Sequence, residues 1–543
     1  MQGLMMDWPL TLPSLLEHAA LYHPDQQVVA RTVEGPIHRY GYAQALARVK
    51  RLANALITLG VKPGDRVATL AWSTHRHFEL YFAATGIGAV LHTINPRLHP
   101  DQVAWVANHA GDRVLLFDAT FGELVGEVAP QMRTVKTFVS LTDAAHVPPG
   151  VPGGTLVYED LLAAAAPEFT WPELDEKTAC GLCYTSGTTG NPKGVLYSHR
   201  STVLHAMALG LPDAFNFGAA DAIMPCAQMY HANAWGTPYA APLVGAKLVL
   251  PGRALDGASV AELIEAEGVT FVLGVPTIWV GVAEHLEQAG KRLSTVKTIA
   301  IGGSAPTAAL IERIETRLGG VVHQIWGMTE TSPLGVVNRP LPRHAGEDPV
   351  VSAARKVKQG RGLWGVELRV VGEDGQVLAR DGKSAGALQV KGPWVAKAYF
   401  KHDGSAAFTA DGWFDTGDIA TIDAEGYLRL TDRAKDVIKS GGEWISTLDL
   451  EDAVCSHPAV AMAAAIGMPH PKWDERPLLL VVLRPGQQAD PEALKAHVAE
   501  RVAKWWTPDE VRIVSELPLG PTGKVLKREL RDRLTTVTAE PAV

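Results

Sequence analysis

At 543 residues, with 47% hydrophobic and 20% charged side chains, the chain is too long for one ordinary core and too apolar for a disordered one. Its 50 basic and 58 acidic residues leave a net charge of −8, which argues against a nucleic-acid surface as its main business but leaves room for a local basic pocket for a small anion. Four cysteines over this length make no disulfide scaffold.

In chain order, the first ten residues, MQGLMMDWPL, lack a basic region followed by an apolar core, so no signal peptide is expected. The run Leu80–Leu91 (LYFAATGIGAVL) is apolar but too short to span a bilayer. The last residues, AEPAV, are not a peroxisomal address, and a cytoplasmic protein is the expectation. Over about the first 330 residues, strand-like runs alternate with amphipathic helical segments. RVATLAW (66–72), RVLLFD (113–118), AKLVLPG (246–252), VTFVLGVP (269–276) and VKTIAIGG (296–303) predict strands; SVAELIEAEG and AALIERIETRL predict helices. Such alternation predicts α/β layering with mostly parallel sheets. Cys180 and Cys183 stand as C-x-x-C, but in a run that reads as a buried strand (ACGLCYTS). They are therefore expected to pack as small hydrophobes. From about Gly362, GVELRVV, GALQVKG and GYLRLTD alternate in hydropathy between EDGQ, RDGKSAG and DAEG turns, which predicts a small antiparallel β unit. Helices and short strands return after TDRAKD (431–436), so a domain boundary is expected near Asp432–Lys435.

The strand ending at Tyr184 runs into Thr185-Ser186-Gly187-Thr188-Thr189-Gly190, with Lys193 following. Glycines allow a close approach of an anion, and a concave set of N–H groups and hydroxyls is a phosphate site to which a lysine adds a point charge. The Walker spacing does not fit, because Pro192 precedes Lys193 and Gly194 follows it. On composition alone, a flexible surface linker is the competing reading.

Four further segments bear on the choice: WGMTETSP (326–333), GWFDTGDIA (412–420), DRAKDVIKSGGEWIS (432–446) and PTGKVLKREL (521–530). Together with YTSGTTGNPKGV (184–195) they resemble, in order and over nearly the whole chain, the motifs of the adenylate-forming superfamily. That superfamily comprises acyl-CoA synthetases, luciferases and peptide-synthetase adenylation domains. LHTINPRL, YSHRSTVLH, NAWGTPYAA, SGGEWIS and PKWDERPL resemble its bacterial medium- and long-chain fatty acid–CoA ligases most, and methylthio-propionate ligases look similar.

The resemblance implies a large N-terminal domain (1–431) of two mixed sheets with helices and a small β-barrel-like unit. It also implies a hinge (432–435) and a small mobile α+β C-terminal domain (436–543). It implies ATP, Mg²⁺ and coenzyme A as reactants or cofactor, a carboxylic acid as substrate, and a homodimer. Residue by residue, Thr185, Ser186, Gly187, Thr188, Thr189, Gly190 and Lys193 would cradle phosphates. Gly302, Gly303, Ser304, Ala305, Gln324, Trp326, Gly327 and Met328 would surround the adenine. Thr329 would touch the α-phosphate, Glu330 with Thr185 would hold Mg²⁺, and Asp418 and Arg433 would take the ribose. Lys435 would be the pivot. Lys439, Gly441, Gly442 and Trp444 would line the site and the pantetheine path. Lys524 would bridge the attacking carboxylate and the α-phosphate. His231, Trp235, Gly303 and Thr331 would face the acid, with Trp235 resembling an indole gate to an acyl tunnel. Against the fatty-acid branch, Tyr230 stands where Phe is usual and Ala232 where Val is usual, so the acid is the open point. Ligases for methylthio-propionate or aryl-alkanoates remain alternatives. So do an adenylating enzyme that loads a carrier protein, a silent binding protein and, remotely, a luciferase-type oxygenase.

Overall fold

The computed structural model describes residues 1, 3–185, 191–402, 405–433, 436–440, 443–520 and 525–537. A nine-stranded sheet and a seven-stranded sheet carry the first part of the chain. The nine-stranded sheet is parallel through its centre, where Ala222–Pro225, Lys247–Leu250, Phe271–Gly274, Thr298–Ile301 and Val321–Gly327 neighbour one another; its antiparallel pairs lie at the ends. In the seven-stranded sheet, Arg66–Leu70, Val90–Thr93, Asp112–Phe117 and Ala179–Tyr184 run parallel, and Gly194–Ser198 closes one edge antiparallel to Ala179–Tyr184.

Period-two alternation decides which residues go to which layer. Val28, Leu248, Leu250, Phe271 and Ala300 point into a core shared with Val67, Val114 and Leu116 of the other sheet. Their neighbours Val29, Val249, Val272, Ile299 and Ile301 point to the opposite face, under helices Gly257–Glu267, Pro276–Gln288 and Ala308–Leu318. The shared core is filled by helices Leu12–Tyr22, Tyr42–Thr58 and His75–Gly86, the last buried along its whole length. The second half of that last helix, LYFAATG, is apolar, and the buried charges of its first half are paired: Arg76 with Glu34 and Glu159, and Glu79 with Arg48 and the Tyr158 hydroxyl.

A four-stranded antiparallel sheet follows, from Glu367–Val371, Gly386–Lys391, Phe414–Ile422 and Leu428–Arg433. This is the small β unit expected from the turn-separated runs. The last part of the chain builds its own five-stranded sheet, with Val460–His470 and Asp474–Leu483 as the long central hairpin. One face packs on helices Thr447–Cys455 and Pro491–Ala499, the other on helix Lys527–Val537. Two separate cores here, distinct from those above, make this an independent folding unit in the α+β class.

Candidate active site

Strand Ala179–Tyr184 ends at Thr185, whose N–H donates to the Lys193 carbonyl at 2.9 Å, directly below the Tyr184/Gly194 register pair. Thr185 and Lys193 are therefore joined at the end of an antiparallel strand pair. Ser186, Gly187, Thr188, Thr189 and Gly190 themselves lie outside the described residues, as do Lys435, Gly441, Gly442 and Lys524.

Two distant segments meet beside that hairpin. The Phe400 N–H donates to the Gly194 carbonyl at 2.8 Å, which sets Tyr399 next to Lys193; the Lys193 ammonium sits 4.9 Å from the Tyr399 ring centre. The Tyr399 hydroxyl donates to Glu330 Oε1 at 2.7 Å, and the Ala396 N–H donates to the Glu330 carbonyl at 2.7 Å. Burial, reinforced by the Glu330 charge, pushes the Tyr399 phenol far up, so it remains a donor. The Tyr197 hydroxyl, also held protonated by burial, donates to the Thr329 carbonyl at 2.7 Å. Thr329–Thr331 is a short turn at the end of strand Val321–Gly327, and these bonds hold it against the Tyr184/Gly194 hairpin. Tyr197 and Tyr399 do this positioning. Neither stood out in the sequence, because a tyrosine after a strand residue carries no spacing signal.

Among the described residues, no group of three or more His, Cys, Asp and Glu is arranged to hold a metal ion. A single buried carboxylate is nevertheless the donor set that suits Mg²⁺, which keeps waters and substrate phosphate oxygens in its octahedral shell instead of taking an all-protein cage. Glu330, fixed by Tyr399, fits that role.

At the other end of the motif, the buried indole of Trp326 donates from Nε1 to Asp418 Oδ2 at 3.0 Å. Gly335 allows this ring its place, since a Cβ there would come within 2.8 Å of it. Asp418 sits on strand Phe414–Ile422 in register with Arg433. The backbones of Lys439 and Trp444 are register partners in the strand pair Ile438–Ser440 and Glu443–Ile445. Gly303 and Ser304 are exposed at the end of strand Thr298–Ile301, with Gly303 at φ +88°. Two expected residues turn to the protein instead. The Gln324 amide is engaged by Gln359 at 3.2 Å and the Lys356 carbonyl at 3.0 Å. The fully buried Thr331 hydroxyl bonds Met328 and Pro333, bracing the turn.

His231 is exposed and opens a turn in which Ala232, Asn233, Ala234 and Trp235 all have φ between +42° and +58°. A run of non-glycine residues in the left-handed region costs about 1–2 kcal/mol per residue and needs outside support. The support is visible: Asn233 Oδ1 accepts from Tyr81 at 3.2 Å, and His205 packs against Gly236. The turn delivers the Trp235 indole onto Gly302, where a Cβ would lie 2.9 Å from the ring. Cys180 and Cys183 are free and buried, their thiols pushed up to about 12 and about 11 by desolvation. They are core residues, as the buried-strand reading expects.

Comparison with known proteins adds the following. A family model described as AMP-binding enzyme matches residues 16–400, and one described as AMP-binding enzyme C-terminal domain matches 449–524. A protein of Ectopseudomonas oleovorans named medium-chain-fatty-acid–CoA ligase is 46% identical over 533 residues, covering 98% of this chain and 97% of that one. A 3-methylmercaptopropionyl-CoA ligase of Ruegeria pomeroyi is 46% identical over 537 residues, covering 99% of each chain. A long-chain-fatty-acid–CoA ligase of Thermus thermophilus is 46% identical over 532 residues, covering 97% and 96%. Among solved structures, the anthranilate CoA ligase AuaEII in complex with anthranoyl-AMP superposes with a TM-score of 0.88 at 24% identity, covering 98% of this chain and 99% of that one, a likeness of fold. ATP-bound MatB from Rhodopseudomonas palustris superposes at 0.81 with 25% identity, covering 97% and 99%.

Proposed function

This chain belongs to the AMP-binding enzyme family, and on that premise we propose that it joins a carboxylic acid to coenzyme A at the expense of ATP, through an acyl-adenylate. The observation that carries the reading is the meeting of Lys193, Tyr399, Glu330 and Thr329 beside the Thr185 hairpin, together with the buried Trp326–Asp418 pair. A carboxylate oxide is a poor leaving group. Its oxygen attacks the α-phosphorus of ATP, pyrophosphate departs, and AMP becomes the leaving group. The coenzyme A thiol then attacks the acyl carbon, AMP leaves, and one proton is released. Neither step needs a protein nucleophile; both need position and charge neutralisation.

In this reading Lys193 and the loop 185–193 hold the β- and γ-phosphates, and Thr329 meets the α-phosphate. Trp326 flanks the adenine, and Asp418 with Arg433 accepts and orders the ribose. Mg²⁺ on Glu330 and Thr185 would neutralise phosphate charge. Lys524 reaches in for adenylation and withdraws for thioester formation as 436–543 turns about Lys435, with 1–431 as the stationary domain. The strand Leu428–Arg433 and the separate cores beyond residue 437 support that division. His231 and Trp235 border the acid, for which we propose a medium- to long-chain fatty acid. The relatives named for such acids and for 3-methylmercaptopropionate are equally similar, so the test is a panel of acids. Acids from propionate to palmitate, with aryl acids and 3-methylmercaptopropionate, are assayed for AMP formation with coenzyme A. A maximum at eight carbons or more supports the proposal. A maximum at the sulfur acid or an aryl acid replaces it, and pyrophosphate release that never consumes coenzyme A points to a carrier-loading enzyme. A homodimer in the cytoplasm belongs to the same proposal, and sedimentation equilibrium checks the stoichiometry. Among the described residues no helix is long and apolar enough to cross a membrane.

A further inference from the structure

Five consecutive residues, Ala232, Asn233, Ala234, Trp235 and Gly236, hold φ between +42° and +76°. Glycine suits that region and asparagine tolerates it, whereas alanine and tryptophan enter it only under the constraint of their surroundings. Outliers of this kind concentrate where a site must be held in one shape.

Asn233 is buried, and its Oδ1 is the point at which three elements meet. The Tyr81 hydroxyl, on helix His75–Gly86, shares its one proton between the Met229 carbonyl at 2.5 Å and Asn233 Oδ1 at 3.2 Å. The Cys183 thiol, on strand Ala179–Tyr184, donates to the same oxygen at 3.7 Å. The Thr93 hydroxyl lies 3.3 Å from that sulfur and can donate to it, which leaves the S–H for Asn233. Burial keeps both donors protonated: it pushes the Cys183 thiol up to about 11 and the Tyr81 phenol well above its ordinary value. The other half of the turn is braced separately. The Thr237 hydroxyl donates to the Ala234 carbonyl at 2.8 Å, His205 packs against Gly236, and the Trp235 indole rests on Gly302. Cys183 stands two residues before Thr185, so a single amide oxygen ties the turn that begins at His231 to the strand that ends at the candidate phosphate site.

We propose that Asn233 is a positioning residue for the acid. Through Tyr81 and Cys183, its side chain fixes the turn from His231 to Gly236, and with it Trp235, relative to the strand that leads to Thr185. The proposal rests on the functional reading for its kinetic arm alone. The competing role is purely conformational: asparagine would stand there only because it tolerates a left-handed backbone. Glycine tolerates it better, so Asn233→Gly separates the two. This variant is expected to unfold at the natural temperature or above it. In acid-dependent ATP–pyrophosphate exchange it should lower kcat/KM for the acid about tenfold, the worth of one buried hydrogen bond, with the KM for ATP unchanged. Tyr81→Phe should cost a similar factor, and the two changes together no more than either alone. A natural kcat/KM in the glycine variant, or losses that multiply to about a hundredfold in the double variant, overturn the proposal. Independently of any reaction, the ¹H–¹⁵N resonance of the Trp235 indole, assigned with Trp235→Phe, should move in both single variants, and an unmoved resonance overturns it. If no acid supports exchange, the functional reading fails while the indole resonance still decides the positioning role.

Discussion

At the scale of single residues, the contacts around Glu330 and Asp418 separate two kinds of binding. Tyr399→Phe keeps a ring beneath the Lys193 ammonium but removes the hydroxyl that holds Glu330. A hydrogen bond to a charged group is worth about 1.5–3 kcal/mol, so kcat is expected to fall roughly ten- to a hundredfold, with a raised Mg²⁺ requirement and little change in the KM for the acid. Titrating Mg²⁺ at saturating ATP checks this. Trp326→Phe removes the donor to Asp418 and should act on the nucleotide instead. Its KM for ATP is expected to rise about tenfold, measured by pyrophosphate release. The residues of the candidate site that the sequence singles out are those with motif spacing: Thr185, Lys193, Glu330 and Asp418. Tyr399 could not be, because its partner Glu330 is 69 positions away and only the fold joins them.

At the scale of elements, two features carry predictions. Asp118 follows strand Asp112–Phe117, accepts from the Trp72 N–H at 2.7 Å, and is buried, which pushes its carboxyl up to about 7. In the unfolded chain the same group titrates near 4, so between about pH 4 and 7 the folded state binds the extra proton. Stability from this group is therefore greatest below that window and is lost as pH rises through it, by up to a few kcal/mol at about 1.4 kcal/mol per unit. Asp118→Asn should flatten the dependence, as read by urea unfolding at pH 5 and pH 8. The second feature is the left-handed turn 232–235, whose end product is an indole resting on Gly302. Gly302→Ala would drive a methyl into Trp235 and Ile325. It is expected to change acyl-length preference by tenfold or more while leaving the KM for ATP within about threefold; Trp235→Ala should do likewise. Strands such as Thr298–Ile301 announce themselves as short apolar runs, whereas the buried helix His75–Gly86, half polar and half apolar, gave no helical signal in the sequence. The turn does not announce itself either, because four non-glycine residues with positive φ contradict local preference, and contacts from Tyr81, Cys183, Thr237 and His205, some of them distant in sequence, sustain them.

At the scale of the whole molecule, the switch from alternating helices and strands to turn-separated short strands marked the β unit. The return to helices after residue 436 marked the last one. The stacking of two sheets about a common layer of helices was beyond reach, since nothing local in Val28 or Val67 says that they share a core. Contacts also bridge the two sides of the expected pivot: Arg429 pairs with Asp449 at 2.8 Å, Ser446 donates to the Thr431 carbonyl, and the Thr447 N–H donates to Asp432. If the last unit turns between half-reactions, Lys524→Ala should reduce acid-dependent pyrophosphate release at least a hundredfold yet leave thioester formation from supplied acyl-adenylate within about threefold. Equal losses in both would exclude two working poses.

The hairpin at the candidate phosphate site also limits what can be altered there. Thr185 and Lys193 are tied to each other, and Gly194 is tied to Phe400, so both ends of the intervening stretch are anchored to fixed strands. An added or deleted residue cannot be absorbed by the neighbours and would be felt wholly within the stretch itself. Grafting this cassette between relatives should therefore succeed only when its contour length is matched residue for residue, whatever side chains it brings.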